Sequence, residues 1–537
     1  MYDVSLSESH FPLQADIDLR DMTVGSILRD AAADTPDAPA LLEMDEDGSR
    51  GRSWTYAELL AESEELAHAL LTRFEPGERI VVWANNIPEW IVCEFAFGLA
   101  GIVLVTANPG YQPRELKYVI DQSGAVGLFL VESFRGNPMG KIGRDVAARC
   151  PAIREVTDLK DRDALFAAGP EARPLPEVSP ADIAQIQYTS GSTGFPKGVL
   201  LHHHGLTNNA RITNARMVEG EHQRALMVAP LFHAIACAIQ LLSTIQARGQ
   251  IVLPPCFDPA LANRIIESEK IEFASLVPTM LVMMLEHDDH NPRDLTSLEM
   301  IGSGGAMVPA ELVRKVTERT GCKFTIGYGM TETSPMITGT FGDDTIEDQT
   351  TTIGQPFAQM EVSIRDPASN EVMPLDTVGE ICVRGYNVMR GYNDNPEATA
   401  QTIDADGWMH TGDLGTMDAR GYMKITGRVK EMIIRGGENL FPVEIENAIF
   451  EHPDVAQVAV VGVPDEKWGE IPVAFVKPVE GRHVDPDALK AHLRTIIAAQ
   501  KTPAKWIEVG DFPMTGSGKI QKFHLRDAYL DGKYGEV

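Results

Sequence analysis

No two of the six cysteines form a C-x-x-C pair; Cys93, Cys150, Cys237, Cys256, Cys322 and Cys382 are scattered along the chain. That spacing argues against a zinc cage or a redox dithiol. It fits buried thiols in a reducing cytoplasm, the expected location. No apolar run reaches the roughly 20 residues that a membrane-spanning helix needs. The longest, residues 90–107, is interrupted by Glu94 and reads as a buried helix running into a buried strand. The opening MYDVSLSESHFPLQADIDLRD is acidic and lacks the apolar core of a secretory signal. Basic residues are scarce: 47 Lys and Arg face 77 Asp and Glu, a net charge of −30. Nucleic acid and anionic membranes are therefore not expected partners. An anionic small substrate stays open, because a local nest of amides can still hold a phosphate.

What is present is an ordinary globular composition, 44% hydrophobic over 537 residues, enough for about three to five structural units. Thr55-Tyr-Ala-Glu58 is a capping-box pattern that opens a helix reaching to about residue 74. Strands over 79–84, 102–106 and 127–131 alternate with helices over 89–100 and 113–122, the pattern of βαβ units and a largely parallel sheet. A second such region covers 182–338. After residue 351, short strands such as 361–365 and 380–384 between Gly, Asp and Asn turns read as a small antiparallel unit. Beyond Gly427 the pattern is compact α+β, with helices expected over 442–452 and 486–500 and strands over 455–463 and 472–478.

The strongest local signal is Tyr188-Thr-Ser-Gly-Ser-Thr-Gly-Phe-Pro-Lys-Gly198. Its glycines let backbone N–H groups point inward, its hydroxyls add donors, and Lys197 adds a cation: the chemistry of a phosphate cradle. It is not a Walker A loop, because Pro196 precedes the lysine and Gly198 follows it. The plain alternative is a flexible Gly/Ser turn. In Gly327-Tyr-Gly-Met-Thr-Glu-Thr333, Glu332 could hold Mg²⁺ through oxygen, or Thr-Glu could simply cap a helix. Thr411-Gly-Asp413 offers a carboxylate beside a glycine turn, suited to ribose hydroxyls or to an Asx turn. Gly427-Arg-Val-Lys-Glu431, leading into Arg435-Gly-Gly-Glu-Asn439, and Thr515-Gly-Ser-Gly-Lys519 complete the series. The adjacent His202, His203 and His204 suggest a metal only weakly, since neighbours in sequence do not share a helix face.

In this order the five motifs resemble the adenylate-forming superfamily of acyl-CoA synthetases, luciferases and peptide-synthetase adenylation domains. The resemblance runs from about Ser53 to Arg526 and also rests on Val388-Met-Arg-Gly-Tyr392 and Asn395-Pro-Glu-Ala-Thr399. Arg435-Gly-Gly-Glu-Asn-Leu-Phe-Pro442 and Ser517-Gly-Lys-Ile-Gln-Lys522 look most like medium-to-long-chain fatty-acyl-CoA synthetases. It implies an α/β fold. A large N-terminal AMP- and acyl-binding domain, residues 1–429, would hold layered βαβ subdomains and a small antiparallel barrel-like subdomain. A small mobile α+β domain, residues 430–537, would follow a hinge at Lys430. ATP, Mg²⁺ and coenzyme A are the implied cofactors and co-substrates, and a homodimer is expected.

Residue by residue, Thr189, Ser190, Gly191, Ser192, Thr193, Gly194 and Lys197 match the loop that holds the β- and γ-phosphates. Gly304, Gly305 and Ala306 match the segment flanking the adenine and the acyl pocket. Tyr328 matches the aromatic that stacks on adenine, Thr331 the α-phosphate contact, and Glu332 the Mg²⁺ ligand. Asp413 and Arg428 match the ribose clamp, and Lys519 the lysine joining substrate carboxylate to α-phosphate. His233 matches an aromatic gate to the acyl pocket, and Gly437 the glycine bordering the pantetheine channel. Gln500 and Ala236 depart from the usual pattern and leave the acid's chain length open. The expected pocket segments, 232–240, 277–280, 302–306 and 326–336, are mostly apolar and hold no obvious partner for a substrate amine. The implied activity is ATP-dependent ligation of a monocarboxylic acid to CoA, within fatty-acid metabolism. Alternatives are an aryl or hydroxycinnamate acid as substrate, an acyl-AMP ligase loading a carrier protein, a light-emitting variant, and a non-catalytic nucleotide or acyl sensor.

Overall fold

The apolar segments of the first third each find a layer. In the computed structural model, which describes residues 1–534 apart from 170–172, 190–195, 219, 221–222, 307, 437 and 515–519, the capping box at Thr55 opens the helix Tyr56–Leu71 as expected. The helix Pro88–Ala100 is buried along almost its whole length, ends at Gly101, and runs into the fully buried strand Val103–Ala107. That strand lies in a seven-stranded sheet whose spatial order is Gly391–Tyr392, Lys197–His202, Ile183–Thr189, Val103–Ala107, Arg79–Trp83, Gly127–Leu130, Glu155–Asp158. Its last five strands pair in parallel, whereas Lys197–His202 is antiparallel to both its neighbours. Trp83, Trp90, Phe95, Phe97 and Phe129 are fully buried in the core beside it. Burying each such side chain stabilises the fold by about 1.5–3 kcal/mol.

A nine-stranded sheet runs from Gln355–Pro356 through Met336–Gly339, Lys323–Gly329, Met300–Gly304, Phe273–Ser275, Arg224–Leu226, Gln250–Leu253 and Pro39–Met44 to Arg50–Thr55, parallel in its middle and antiparallel at its ends. The antiparallel unit expected after residue 351 is a five-stranded sheet in the order His10–Phe11, Met360–Arg365, Gly379–Gly385, Met409–Met417, Met423–Arg428. Its first strand comes from the N-terminal segment, which the sequence pattern does not assign to any sheet.

Past Arg428, the strands Ile433–Arg435, Val455–Asp465, Gly469–Pro478 and Lys505–Glu508 share a separate sheet flanked by the helices Pro442–Phe450, Pro486–Leu493 and Lys522–Leu530. The helix expected over 486–500 stops at Leu493. Thr495, Ile496 and Ile497 follow; β-branched residues lower helix propensity, and the Thr495 hydroxyl bonds back to the His492 carbonyl. Among the described residues no helix is long and apolar enough to cross a membrane.

Candidate active site

Three sheets bring the separate motifs together. Ile183–Thr189 and Lys197–His202 are hairpin partners, with Thr189 opposite Lys197, so the two ends of the Gly/Ser/Thr loop are held side by side. Ser190, Gly191, Ser192, Thr193 and Gly194 lie outside the described residues, as do Gly437 and Lys519. Gly391–Tyr392 pairs with the outer edge of Lys197–His202. The Asn393 amide donates to the Gly198 carbonyl at 2.7 Å, and Gln122 links Tyr188 to Asn393. The base of the loop is thereby fixed from both sides.

That pairing sets Lys197 Nζ 4.4 Å from the centroid of the Tyr392 ring. The Tyr392 hydroxyl donates to Glu332 Oε1 at 2.9 Å. Glu332 sits in the single turn Thr331–Thr333, only 5% exposed, beside a half-buried Thr331. Burial raises its carboxyl pKa, and the Tyr392 bond and the Lys197 charge oppose that rise. A buried carboxylate with one oxygen already oriented and a hydroxyl next to it is a hard-oxygen donor set, which fits Mg²⁺.

The second cluster joins the sheets. Tyr328, on the strand Lys323–Gly329, donates its hydroxyl to Asp413 Oδ2 at 2.8 Å. Arg428 Nε lies 2.9 Å from Asp413 Oδ1, its cross-strand partner. Burial, and then the Asp413 charge, push the Tyr328 phenol well up, so it stays protonated and donates. Asp413 in turn raises Arg428. Gly304 lies opposite Gly327 on the neighbouring strand, and a Cβ there would sit 2.4 Å from the Gly327 carbonyl oxygen; only glycine allows that approach. Gly305 and Ala306 follow it, exposed.

His233 is exposed, at the turn before a π-helix, Ile235–Leu241, and its Nδ1 accepts from the Ile235 amide at 3.3 Å. The three adjacent histidines lie at the start of a helix. His202 Nδ1 caps the Gly205 amide, and buried His203 accepts from the Val24 amide, with its pKa pushed down to about 4 by burial. Lys430 occupies the single turn Val429–Glu431 that joins the five-stranded antiparallel sheet to the C-terminal sheet. The residues that sequence reasoning passed over are Tyr392, quoted within a motif but given no role, and Glu380 and His410. Those two carry no motif chemistry of their own and gain significance only from the strand pairing.

Comparison with known proteins shows the family. The AMP-binding enzyme family model matches residues 28–393, and the AMP-binding enzyme C-terminal domain model matches residues 444–519. A putative acyl-CoA synthetase, YngI, of Bacillus subtilis is 36% identical, covering 95% of this chain and 97% of its own. A feruloyl-CoA synthase of an Amycolatopsis species is 38% identical over 89% of this chain and 94% of its own. The human mitochondrial medium-chain acyl-CoA ligase ACSF2 is 32% identical over 95% and 88%. Among solved structures, ATP-bound MatB from Rhodopseudomonas palustris superposes with a TM-score of 0.85 at 29% identity, covering 95% of this chain and 99% of that one. The o-succinylbenzoate CoA synthetase of Bacillus subtilis, in complex with its acyl-adenylate intermediate, gives 0.83 at 28% over 97% and 100%. With ATP and CoA as its co-substrates, this chain belongs to the adenylate-forming superfamily as an AMP-forming acyl-CoA ligase of the AMP-binding enzyme family.

Proposed function

We propose that the enzyme activates a medium-to-long-chain fatty acid as an acyl-adenylate and passes the acyl group to the CoA thiol, releasing pyrophosphate and AMP. The observation that carries the nucleotide half is the convergence of Lys197, Tyr392 and Glu332 on one side and Tyr328, Asp413 and Arg428 on the other. A carboxylate is a poor electrophile and repels the ATP anion. Lys197 and Lys519 offset that charge while the carboxylate oxygen attacks the α-phosphorus and pyrophosphate leaves. Mg²⁺, held by Glu332, would supply further charge neutralisation on the phosphates. Thr331 contacts the α-phosphate, and Asp413 with Arg428 receives the ribose. The phosphate loop from Thr189 through Gly194 cradles the β- and γ-phosphates. The acyl-adenylate then has a good leaving group, so a thiol attacks it without a covalent enzyme intermediate, through a channel bordered by Gly437. His233 stands at the mouth of the acyl pocket.

We take residues 1–429 as the catalytic body and 430–537 as the part that turns at Lys430 between the two steps. Support for a fatty acid comes from the mostly apolar segments 232–240 and 277–280 and from the medium-chain ligase relative. The feruloyl-CoA synthase relative favours a second reading, an aryl acid. Pyrophosphate release with CoA, measured for acids from acetate to palmitate and for cinnamates, tests both. Octanoate to palmitate should give the highest kcat/KM. A ferulate value at least about tenfold higher, some 1.4 kcal/mol in transition-state binding, would overturn the fatty-acid reading.

A further inference from the structure

The strand that carries Asp413 is irregular where Asp413 sits. In the pairing of Gly379–Gly385 with Met409–Met417, Cys382 faces His410 and Glu380 faces Leu414. Between those pairs one strand has Ile381 alone, while the other has Thr411, Gly412 and Asp413. The extra residues bulge, with Gly412 at φ +74 in the left-handed region. A bulge leaves ladder groups unpaired, and here side chains take them up. The Gly412 amide donates to Glu380 Oε1 at 2.9 Å. The Thr411 hydroxyl donates to the Ile381 carbonyl at 2.7 Å and accepts from the Asp413 amide at 3.1 Å.

Glu380 is only 8% exposed, so its carboxylate needs partners on both oxygens. The second partner is His410 Nδ1, 2.8 Å from Glu380 Oε2. His410 Nε2 lies 3.7 Å from Asp404 Oδ2. Asp404 is itself held by the amides of Asp406 and Trp408 and by Asn370. A chain of polar groups thus runs Asp404, His410, Glu380, Gly412 and ends one residue from Asp413. The Glu380 hydrogen bond raises the His410 pKa. Glu380, Cys382 and His410 also have ligand atoms within 4.8 Å of one another, a spacing a metal could use. Two of them already satisfy each other, and burial pushes the Cys382 thiol up, away from the thiolate a metal needs. The group is a hydrogen-bonded scaffold.

We propose that Glu380 and His410 are positioning residues that lock the Thr411-Gly412-Asp413 bulge and so hold the Asp413 carboxylate where a ribose diol docks. The inference rests on the ribose reading of Asp413 given above. Neither residue touches nucleotide; both act through the backbone of the bulge.

The test is binding of ATP and of 2′,3′-dideoxyATP to the full chain by titration calorimetry, with melting temperature recorded for each variant. Wild type should prefer ATP by about tenfold or more, the worth of hydrogen bonds to a charged group. In Glu380→Ala that preference should fall to about threefold or less, through weaker ATP binding, while dideoxyATP binding stays within about twofold. His410→Ala should behave likewise, and serves as the reading if Glu380→Ala does not fold. His410→Asn, which keeps a donor near the Nδ1 position, should recover most of the preference. Full preference in both alanine variants would overturn the proposal, as would equal weakening of both nucleotides, the mark of general damage. A wild type that binds both nucleotides equally would instead sink the ribose reading of Asp413, and the lock with it.

Discussion

Tyr392 shows what one side chain can do at the junction of two motifs. Its ring receives Lys197 and its hydroxyl orients Glu332, so a single residue spaces the cation of the phosphate loop from the carboxylate assigned to Mg²⁺. Tyr392→Phe keeps the ring and loses the hydroxyl. Pyrophosphate release should slow by about 10- to 100-fold, the worth of a hydrogen bond to a charged acceptor, with the KM for acid unchanged. An unaltered rate would remove Tyr392 from the site. Glu94 makes a different case. It is fully enclosed beside Gln185, Gln187 and Cys237, accepts from Gln185 at 2.6 Å, and burial raises its pKa well above the usual range. A folded pKa above the unfolded one means that the native state binds the extra proton. Glu94 therefore costs stability as pH rises above the unfolded value near 4.5. Glu94→Gln should raise the melting temperature by about 1–3 °C at pH 8 and by less at pH 5, measured by scanning calorimetry. The opposite ordering would show that the acid is ionised in place. The interruption of the apolar run by Glu94 is plain in the sequence; its partners on the strand Ile183–Thr189 are not, because only the parallel pairing with Val103–Ala107 brings that strand alongside.

Among the elements, the turn Val429–Glu431 is the one on which the two-step proposal depends. Half-buried Lys522, on the helix Lys522–Leu530, lies 2.9 Å from Glu431 Oε2 and 2.8 Å from Glu446 Oε1. Burial opposes its charge, but the two carboxylates outweigh burial and raise its pKa. The pair ties Glu431 to the C-terminal sheet unit, so a turning motion would pivot ahead of it, at Lys430. Lys430→Pro should keep acid-dependent pyrophosphate release and lose at least about tenfold in thioester formation. Lys519→Ala should lose release but still convert supplied acyl-AMP. Equal loss of both steps in both variants would contradict the hinge. Lys522→Met, which leaves half-buried Glu446 without its cation, should destabilise the C-terminal unit by about 1–3 kcal/mol, seen as faster proteolysis after residue 429; Lys522→Arg should restore most of that resistance.

The elements that sequence could not supply share a physical cause. The strand His10–Phe11 spans two residues and takes its register from Val362 and Ser363, some 350 positions away. The π-helix Ile235–Leu241 lies in an almost wholly buried apolar stretch, where no amphipathic period marks an extra residue per turn. By contrast, the helix Tyr56–Leu71 and the strands Arg79–Trp83 and Val103–Ala107 were legible because capping, periodicity and local turns decide them.

For the molecule as a whole, three sheets of different origin bring the proposed nucleotide-binding residues together, and a fourth sheet follows the turn at Lys430. The motifs were readable because each is local. The clusters they form were not, since Tyr328 and Asp413 stand 85 residues apart and meet only when two sheets pack. Against a net charge of −30, the proposal assigns anion binding to the cations Lys197, Arg428 and Lys519. The central claim is that acid and ATP react there before CoA takes part. Exchange of labelled pyrophosphate into ATP by the wild-type enzyme, with a fatty acid and Mg²⁺ but no CoA, tests it most directly. The account predicts exchange that requires the acid and is abolished in Lys519→Ala; exchange that appears only when CoA is added would contradict it.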